Sequence, residues 1–131
     1  GSGGTYDAIR AIDYAIARGV QVINASWGGT SYSQLLGEAV QRAMDAGITF
    51  VAASGNSAAN FDVNPNFPAS FPHVISVAAS DSSDSLASYS NFGSSVTIAA
   101  LRNSFGHLNG FPSSCWNCCA DEECKALAFS D

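Results

Sequence analysis

Two short apolar segments, each ending in small polar residues and glycine, constrain this chain most strongly. Residues 22–29 read VINASWGG and residues 50–56 read FVAASGN. A helix-forming stretch lies between them, so the pattern predicts a parallel unit of strand, crossover helix and strand. In an open parallel sheet, ligands bind outside the carboxyl ends of the strands. The residues that follow the two strands therefore predict a binding site at that edge of the sheet.

Two helices are predicted from hydrophobic periodicity. Residues 5–18 place isoleucines at helical spacing and have Thr5 as a candidate N-cap. Residues 32–46 form a second amphipathic stretch, for which Ser31 and Gln34 fit a capping box. Both stretches are followed by glycine, which commonly ends a helix.

Four strands are predicted around these helices, at residues 20–26, 48–53, 74–79 and 96–100. Their nearly continuous apolar character is typical of strands buried on both faces. We therefore expect an α/β fold, a partial doubly wound parallel sheet with flanking helices, plus an irregular C-terminal tail.

Composition limits both the organisation and the partners. Five Lys and Arg residues stand against eleven Asp and Glu, and no basic cluster occurs, which disfavours nucleic acid as a partner. No apolar run reaches the length of a membrane span, so no membrane partner is expected. Periodicity fades after residue 100, and all four cysteines follow that point. The interpretation is one unit at residues 1–100 and a divergent cysteine-containing tail at residues 101–131.

Four blocks of the sequence resemble, in order, the middle of the catalytic domain of subtilisin-like serine proteases, the subtilases (peptidase family S8). They are residues 22–29, residues 52–56 (AASGN), residues 67–77 (FPASFPHVISV) and residues 89–93 (YSNFG). The resemblance covers about three quarters of the chain. It implies a subtilisin-like fold and a serine endopeptidase that hydrolyses peptide bonds through an acyl-enzyme, with a peptide or protein as the substrate.

The resemblance also implies roles for single residues. Asn56 matches the family's oxyanion-hole Asn, whose amide N–H stabilises charge on the scissile carbonyl. The alternative is a loop Asn that bonds its own backbone. The strand that pairs with substrate maps onto Ser26, Trp27, Gly28 and Gly29, and the opposite pocket wall onto Ala53, Ser54 and Gly55. Trp27 lines a more distant subsite in one interpretation and packs against the second helix in the other.

Two further family features map onto the loop after residue 56. Pro68 matches a position whose peptide bond is cis in the family. In one branch of the family, backbone carbonyls that match Pro72 and Val74 hold a cation together with an Asp side chain. Thr97 stands at the position of that Asp. Because calcium prefers anionic oxygen ligands, any calcium site here is expected to be weak, and no other cofactor is expected.

The three residues of the catalytic triad are not recognisable in their family motifs. His73 and His107 both lack the Gly-Thr context of the family's catalytic base. The resemblance ends between Ala100 and Leu101, where a truncated gene model, an unspliced intron, a frameshift or a splice variant would each produce the break. The chain is therefore interpreted as an internal fragment of a catalytic domain, and by itself is expected to be inactive.

Several alternatives stay open. A non-catalytic degenerate subtilase that binds a peptide or protein is the main rival, and an unrelated α/β ligand-binding domain is disfavoured because no phosphate loop follows the first strand. A zinc cluster, two disulfides or accidental sequence from a shifted frame would each account for Cys115, Cys118, Cys119 and Cys124. The resemblance implies an extracellular, secreted location, because the family is usually secreted.

Overall fold

The computed structural model describes residues 3–101. Its elements are α1 (Thr5–Arg18), β1 (Val22–Ala25), α2 (Gln34–Asp45), β2 (Thr49–Ala53), β3 (Ile75–Ser80) and β4 (Ile98–Leu101). The strands form one sheet in the order β1-β2-β3-β4, and each neighbouring pair is parallel. This architecture confirms the predicted α/β fold with a parallel sheet. The four cysteines and His107 lie outside the described residues.

Helix α1 spans the predicted residues, Thr5–Arg18, but its N-cap lies one residue before the predicted cap. Gly4, not Thr5, is the N-cap, because the Gly4 carbonyl accepts the first helical hydrogen bonds from Asp7 and Ala8. The Asp7 carboxylate accepts in return from the Gly4 N–H at 3.3 Å. Gly19 closes the helix in the left-handed conformation, with φ of 64°, as its position predicted.

Helix α2 begins two residues later than predicted, at Gln34. Ser33 is its N-cap, and the Ser33 hydroxyl accepts a hydrogen bond from the Leu36 N–H at 3.3 Å. The predicted capping box of Ser31 and Gln34 was wrong. Gln34 is the first helical residue, and its side chain donates to the Glu38 carboxylate one turn further along the helix.

Both helices share one hydrophobic core with a single face of the sheet. The helices also contact each other, and an ion pair joins Asp13 of α1 to Arg42 of α2 at 2.7 Å. Alanines at the contacts let the backbones approach closely. The buried side chains of the helices and first two strands are Ile12, Ala15, Ile23, Ala25, Leu36, Ala39, Val40, Ala43, Phe50 and Ala52.

The opposite face of the sheet is less covered. Burial alternates along β1, where Ile23 and Ala25 are buried but Val22 is 39% exposed. Every residue of β4 is exposed. The expected burial of the strands on both faces is therefore wrong for residues 3–101, because both described helices lie on the same side.

The register of the sheet brings the ends of β1 and β2 together. Ala25 pairs with Ala52, so the segments that follow these strands leave the sheet side by side. The long loop after β2 returns past them, and its Phe67–Pro68 peptide bond is cis, which confirms the prediction for Pro68. This loop supplies the remaining parts of the candidate site.

Candidate functional site

The segment after β1 is extended and pairs with the long loop. The Gly29 N–H donates to the Phe67 carbonyl at 2.9 Å, and the Phe67 N–H donates to the Gly29 carbonyl at 2.8 Å. Ser26 and Trp27 are half-buried, whereas Gly28 and Gly29 are exposed. Trp27 packs against the hydrophobic core. Extended backbone is therefore presented to solvent where the sequence predicted a strand that pairs with substrate.

The segment after β2 is the other predicted wall. Ala53 is exposed and Gly55 is half-buried, but Ser54 is only 1% exposed. The Ser54 hydroxyl is buried and has no hydrogen-bond partner among residues 3–101. The Ser54 side chain therefore lines no accessible surface. The part of Ser54 that other residues of the site contact is its backbone carbonyl, which accepts from Asn66 and Asn91.

Asn66 lies between these two segments. Its side-chain Nδ2 donates to the Ser54 carbonyl at 3.2 Å. A Cβ added to Gly28 would approach this Nδ2 to 2.6 Å, and one added to Gly55 would approach it to 3.2 Å. The glycines on both sides thus make room for the Asn66 amide. Sequence reasoning missed Asn66, because its neighbours lie 12 and 38 positions away and no local motif marks it.

Asn56 projects from the loop directly after this wall. The residue is exposed, and its side-chain amide makes no hydrogen bond to any other described residue. Asn60 in the same loop behaves differently, since its Oδ1 accepts from the Asp62 N–H at 2.9 Å. Across residues 3–101, the Asn56 amide is therefore available to a ligand rather than used in a local turn.

Asn91 connects the Asn56 loop to a distant turn. Its Nδ2 donates to the Ser54 carbonyl at 2.8 Å, and its Oδ1 accepts from the Ser57 N–H at 3.0 Å and the Ala59 N–H at 3.1 Å. The Asn91 backbone N–H donates to the Gly55 carbonyl at 3.0 Å. Asn91 is only 4% exposed, so these bonds are shielded from water. The sequence analysis used residues 89–93 only as a matching block and assigned Asn91 no role.

Asp62 ties the same loop to residues 94 and 95. Its carboxylate accepts from the backbone N–H and the hydroxyl of both Ser94 and Ser95, at distances between 2.7 and 3.1 Å. These hydrogen bonds, led by the one from the Ser94 N–H, lower the pKa of Asp62 below its usual value.

The region of the expected calcium site contains little negative charge. Thr97 is neutral, and its hydroxyl accepts from the Ser76 N–H at 3.1 Å. No group of three or more His, Cys, Asp or Glu side chains that could hold a metal occurs within residues 3–101. Within residues 3–101, a cation near Pro72 and Val74 would therefore meet no cluster of anionic side chains. A weak calcium site there stays a prediction.

His73 is the one histidine within residues 3–101. His73 is exposed, with φ of 66°, in the turn that leads into β3. The structure places no hydrogen-bond partner at its side chain within the described range.

Neither α1 nor α2 has the length and apolar character of a membrane-spanning helix, and residues 3–101 contain no other candidate.

Comparison with known proteins relates this geometry to one family. The family model described as the subtilase family, peptidase S8, matches residues 1–116. Subtilisin DY from Bacillus licheniformis is 42% identical over 99 residues, covering 74% of this chain and 36% of the relative. Minor extracellular protease Epr from Bacillus subtilis is 38% identical over 100 residues, covering 76% of this chain and 15% of the relative.

Solved structures agree with these sequence matches. A cold-adapted subtilisin-like serine proteinase superposes with a TM-score of 0.70 at 39% identity, covering 77% of this chain and 37% of that structure. A lanthipeptide protease gives the same TM-score at 28% identity, covering 80% of this chain and 36% of the other. The chain thus spans about a third or less of these relatives.

Proposed function

This chain belongs to the subtilase family, and we infer that it forms the substrate-pairing and oxyanion-stabilising part of a serine endopeptidase. Proteases are the named activity of its relatives, so the proposed substrate is a peptide or protein. The proposed location is extracellular, as the name of one relative states for that protein.

Substrate binding is assigned to the two segments at the carboxyl edge of the sheet. An extended peptide would pair with the backbone of residues 26–28 by strand addition, which uses main-chain groups and favours small residues. Gly29, whose N–H and carbonyl bond Phe67, would hold this segment in place. Ala53 and Gly55 would face the peptide from the other side. The pairing of Gly29 with Phe67 supports this assignment, because it already holds the segment in extended form.

Asn56 carries the catalytic part of the proposal. The observation behind it is an exposed amide with no hydrogen-bond partner among the described residues, on a loop whose backbone is fixed on both sides. A donor that is already oriented stabilises the negative charge of the tetrahedral intermediate without reorganising during the reaction. Asn56 would donate its side-chain N–H to the oxygen of the attacked carbonyl.

The remaining chemistry needs a Ser nucleophile, a His base and an Asp that orients it. We assign these residues to sequence outside this chain, which by itself would bind substrate without cleaving it. Sequencing the transcript across the codons for Ala100 and Leu101 is the first check. A reading frame that supplies the triad would support an endopeptidase, whereas a transcript lacking it would leave a non-catalytic peptide-binding protein.

The decisive test is Asn56→Ala in the protein translated from that longer frame. Loss of one such donor lowers kcat by about 10²- to 10³-fold, a magnitude measured in subtilisin, a member of the same family. We expect kcat for a chromogenic peptide to fall by that order while KM changes little. Asn64→Ala is the matched control, because Asn64 is an exposed residue of the same loop. Unchanged turnover in Asn56→Ala would refute the oxyanion role.

A further inference from the structure

We propose that Asn91 is a positioning residue. It would hold the loop that carries Asn56, residues 54–59, in the conformation that points the Asn56 amide at the substrate carbonyl. This inference rests on the proposed function of Asn56. It adds a residue 35 positions further along the chain, which bonds the backbone of Ser54 and Gly55 in the proposed pocket wall but makes no described contact with the Asn56 side chain.

Asn91 binds the backbone on both sides of Asn56. On the N-terminal side, its Nδ2 donates to the Ser54 carbonyl and its backbone N–H donates to the Gly55 carbonyl. On the C-terminal side, its Oδ1 accepts from the Ser57 and Ala59 N–H groups. The peptide units that flank Asn56 are therefore fixed, while its side chain stays free to meet a ligand.

The chemistry of an amide suits this position. Two backbone N–H groups need an acceptor, and the Ser54 carbonyl takes a second donor beside the Asn66 amide; a single Asn side chain supplies both. The bonding pattern also fixes which end of the amide is oxygen, because the reverse orientation would set donor against donor. A Cβ on Gly55 would approach Nδ2 to 2.5 Å, so glycine at that position, with φ of 115°, lets the amide reach the loop.

Asn91 is itself anchored to the sheet. The neighbouring Ser90 is 1% exposed, and its hydroxyl accepts from the Ala79 N–H of β3 at 2.9 Å and donates to the Asn91 carbonyl at 3.0 Å. Two more backbone bonds join the turn to the loop, from the Ala58 N–H to the Tyr89 carbonyl and from the Phe92 N–H to the Ala59 carbonyl. The loop that carries Asn56 is thus braced against β3 through this turn.

Such bracing matters because oxyanion stabilisation depends on geometry fixed before reaction. A misplacement of about 1 Å caused by a distant mutation can cost about 10²-fold in rate. Removing the Asn91 amide would leave the Ser57 and Ala59 N–H groups without this buried acceptor, and would leave the Ser54 carbonyl with the Asn66 amide alone. The loop would then sample other shapes, and the Asn56 N–H would leave the position where charge develops.

The test is a double-mutant cycle on kcat in the longer active protein, with wild type, Asn56→Ala, Asn91→Ala and the double variant. We expect Asn91→Ala to lower kcat by about 10-fold or more, up to about 10²-fold, with KM nearly unchanged. In the Asn56→Ala background the same change should have little further effect, because the donor that Asn91 positions is already gone. A purely structural role would instead add its full cost in both backgrounds.

A second variant and a second measurement guard against a folding defect. Asn91→Asp keeps an Oδ acceptor for Ser57 and Ala59 but sets its second oxygen against the Ser54 carbonyl, so it should also lower kcat, by at least as much as Asn91→Ala. In the 131-residue chain, amide hydrogen exchange at Ser57 and Ala59 should accelerate in Asn91→Ala, while amides of β1 keep wild-type protection.

The outcomes separate this inference from the proposed function. If Asn56→Ala leaves kcat unchanged, the oxyanion proposal fails and the positioning role fails with it. If Asn56→Ala lowers kcat but the effect of Asn91→Ala is fully additive to it, only the positioning role is overturned. Unchanged exchange at Ser57 and Ala59 in a folded Asn91→Ala chain would also overturn it.

Discussion

At the scale of single residues, Asp62 resembles Asn91 in that its side chain joins two distant segments of the chain by hydrogen bonds, but Asp62 carries a charge. It joins the loop after β2 to the turn before β4, through the N–H and hydroxyl groups of Ser94 and Ser95. Gly93 beside them has φ of 148°, and a Cβ there would approach the Asp62 carboxylate to 2.9 Å. The close approach therefore requires glycine, and the four donors favour the ionised carboxylate over the protonated one.

Asp62 predicts an acid-sensitive contribution to stability. Its pKa is lower in the folded chain than in the unfolded chain, mainly because of the Ser94 N–H, so its stabilisation is present above the unfolded value near 4. That stabilisation is lost as pH falls through the folded pKa. We expect wild type to lose more of its free energy of unfolding than Asp62→Asn between about pH 5 and about pH 2. Urea unfolding midpoints across that range measure the difference.

Asp45→Asn is the control for this comparison. Asp45 lies on α2, accepts a hydrogen bond from Gln41 and has no contact with the Ser94 turn. This variant should keep the steeper acid slope of wild type. If the urea midpoints of wild type and Asp62→Asn fell in parallel as pH is lowered, ionisation of Asp62 would contribute nothing to stability.

Residue roles were predictable only where the signal is local. Asn56 lies in a five-residue block of the family pattern, so its candidate role followed from the sequence. Asn66 and Asn91 depend on partners between 12 and 37 positions away, which form only when the loop folds back over the sheet. No local periodicity or turn signal encodes such contacts.

At the scale of secondary-structure elements, periodicity located both helices and the bounds of α1, but it did not locate the first residue of α2. The apolar stripe of α2 fixes which residues face the core, and that stripe is compatible with a start at any of several preceding positions. Ser31 and Ser33 are both good N-cap residue types. The structure selects Ser33, because only its hydroxyl reaches an N–H of the first turn.

The choice between these serines predicts unequal effects on stability. Ser33→Ala removes the bond to the Leu36 N–H and should lower the free energy of unfolding by about 1 kcal/mol. Ser31→Ala is the matched control and should stay within about 0.5 kcal/mol of wild type, because Ser31 is exposed and caps nothing in the described chain. Chemical denaturation of both variants measures the difference. A larger loss in Ser31→Ala would restore the capping box that the sequence predicted.

At the scale of the whole molecule, the fold class followed from the sequence but the covering of the sheet did not. Alternation of strand and helix patterns predicts a parallel sheet wherever it occurs. The apolar strands also predicted cover on both faces, yet both described helices pack on one side. The sequence pattern of the strands does not say which face the helices cover, and the matched segment makes up 36% and 37% of two of the relatives.

The uncovered face and the outer edge of β4 predict self-association of the chain. Within residues 3–101, β4 has a sheet neighbour only on its β3 side, so its other edge presents unpaired backbone groups. Ile98 is 52% exposed and pairs with Val77, so its side chain lies on the less covered face. Exposed apolar edge strands pair readily with other chains, and a lysine on the edge opposes that pairing. We therefore expect the wild-type chain to associate as its concentration rises, and Ile98→Lys to associate less.

Val63→Lys separates an edge effect from a change in net charge. Val63 is 71% exposed on the loop after β2 and lies outside the sheet, so its substitution adds the same charge to a chain of net charge −6 without touching the edge. Light scattering across a concentration series should show reduced association for Ile98→Lys only. Because the charge change is identical, equal reduction in both variants would assign the effect to electrostatics and would remove β4 as the surface through which the chains meet.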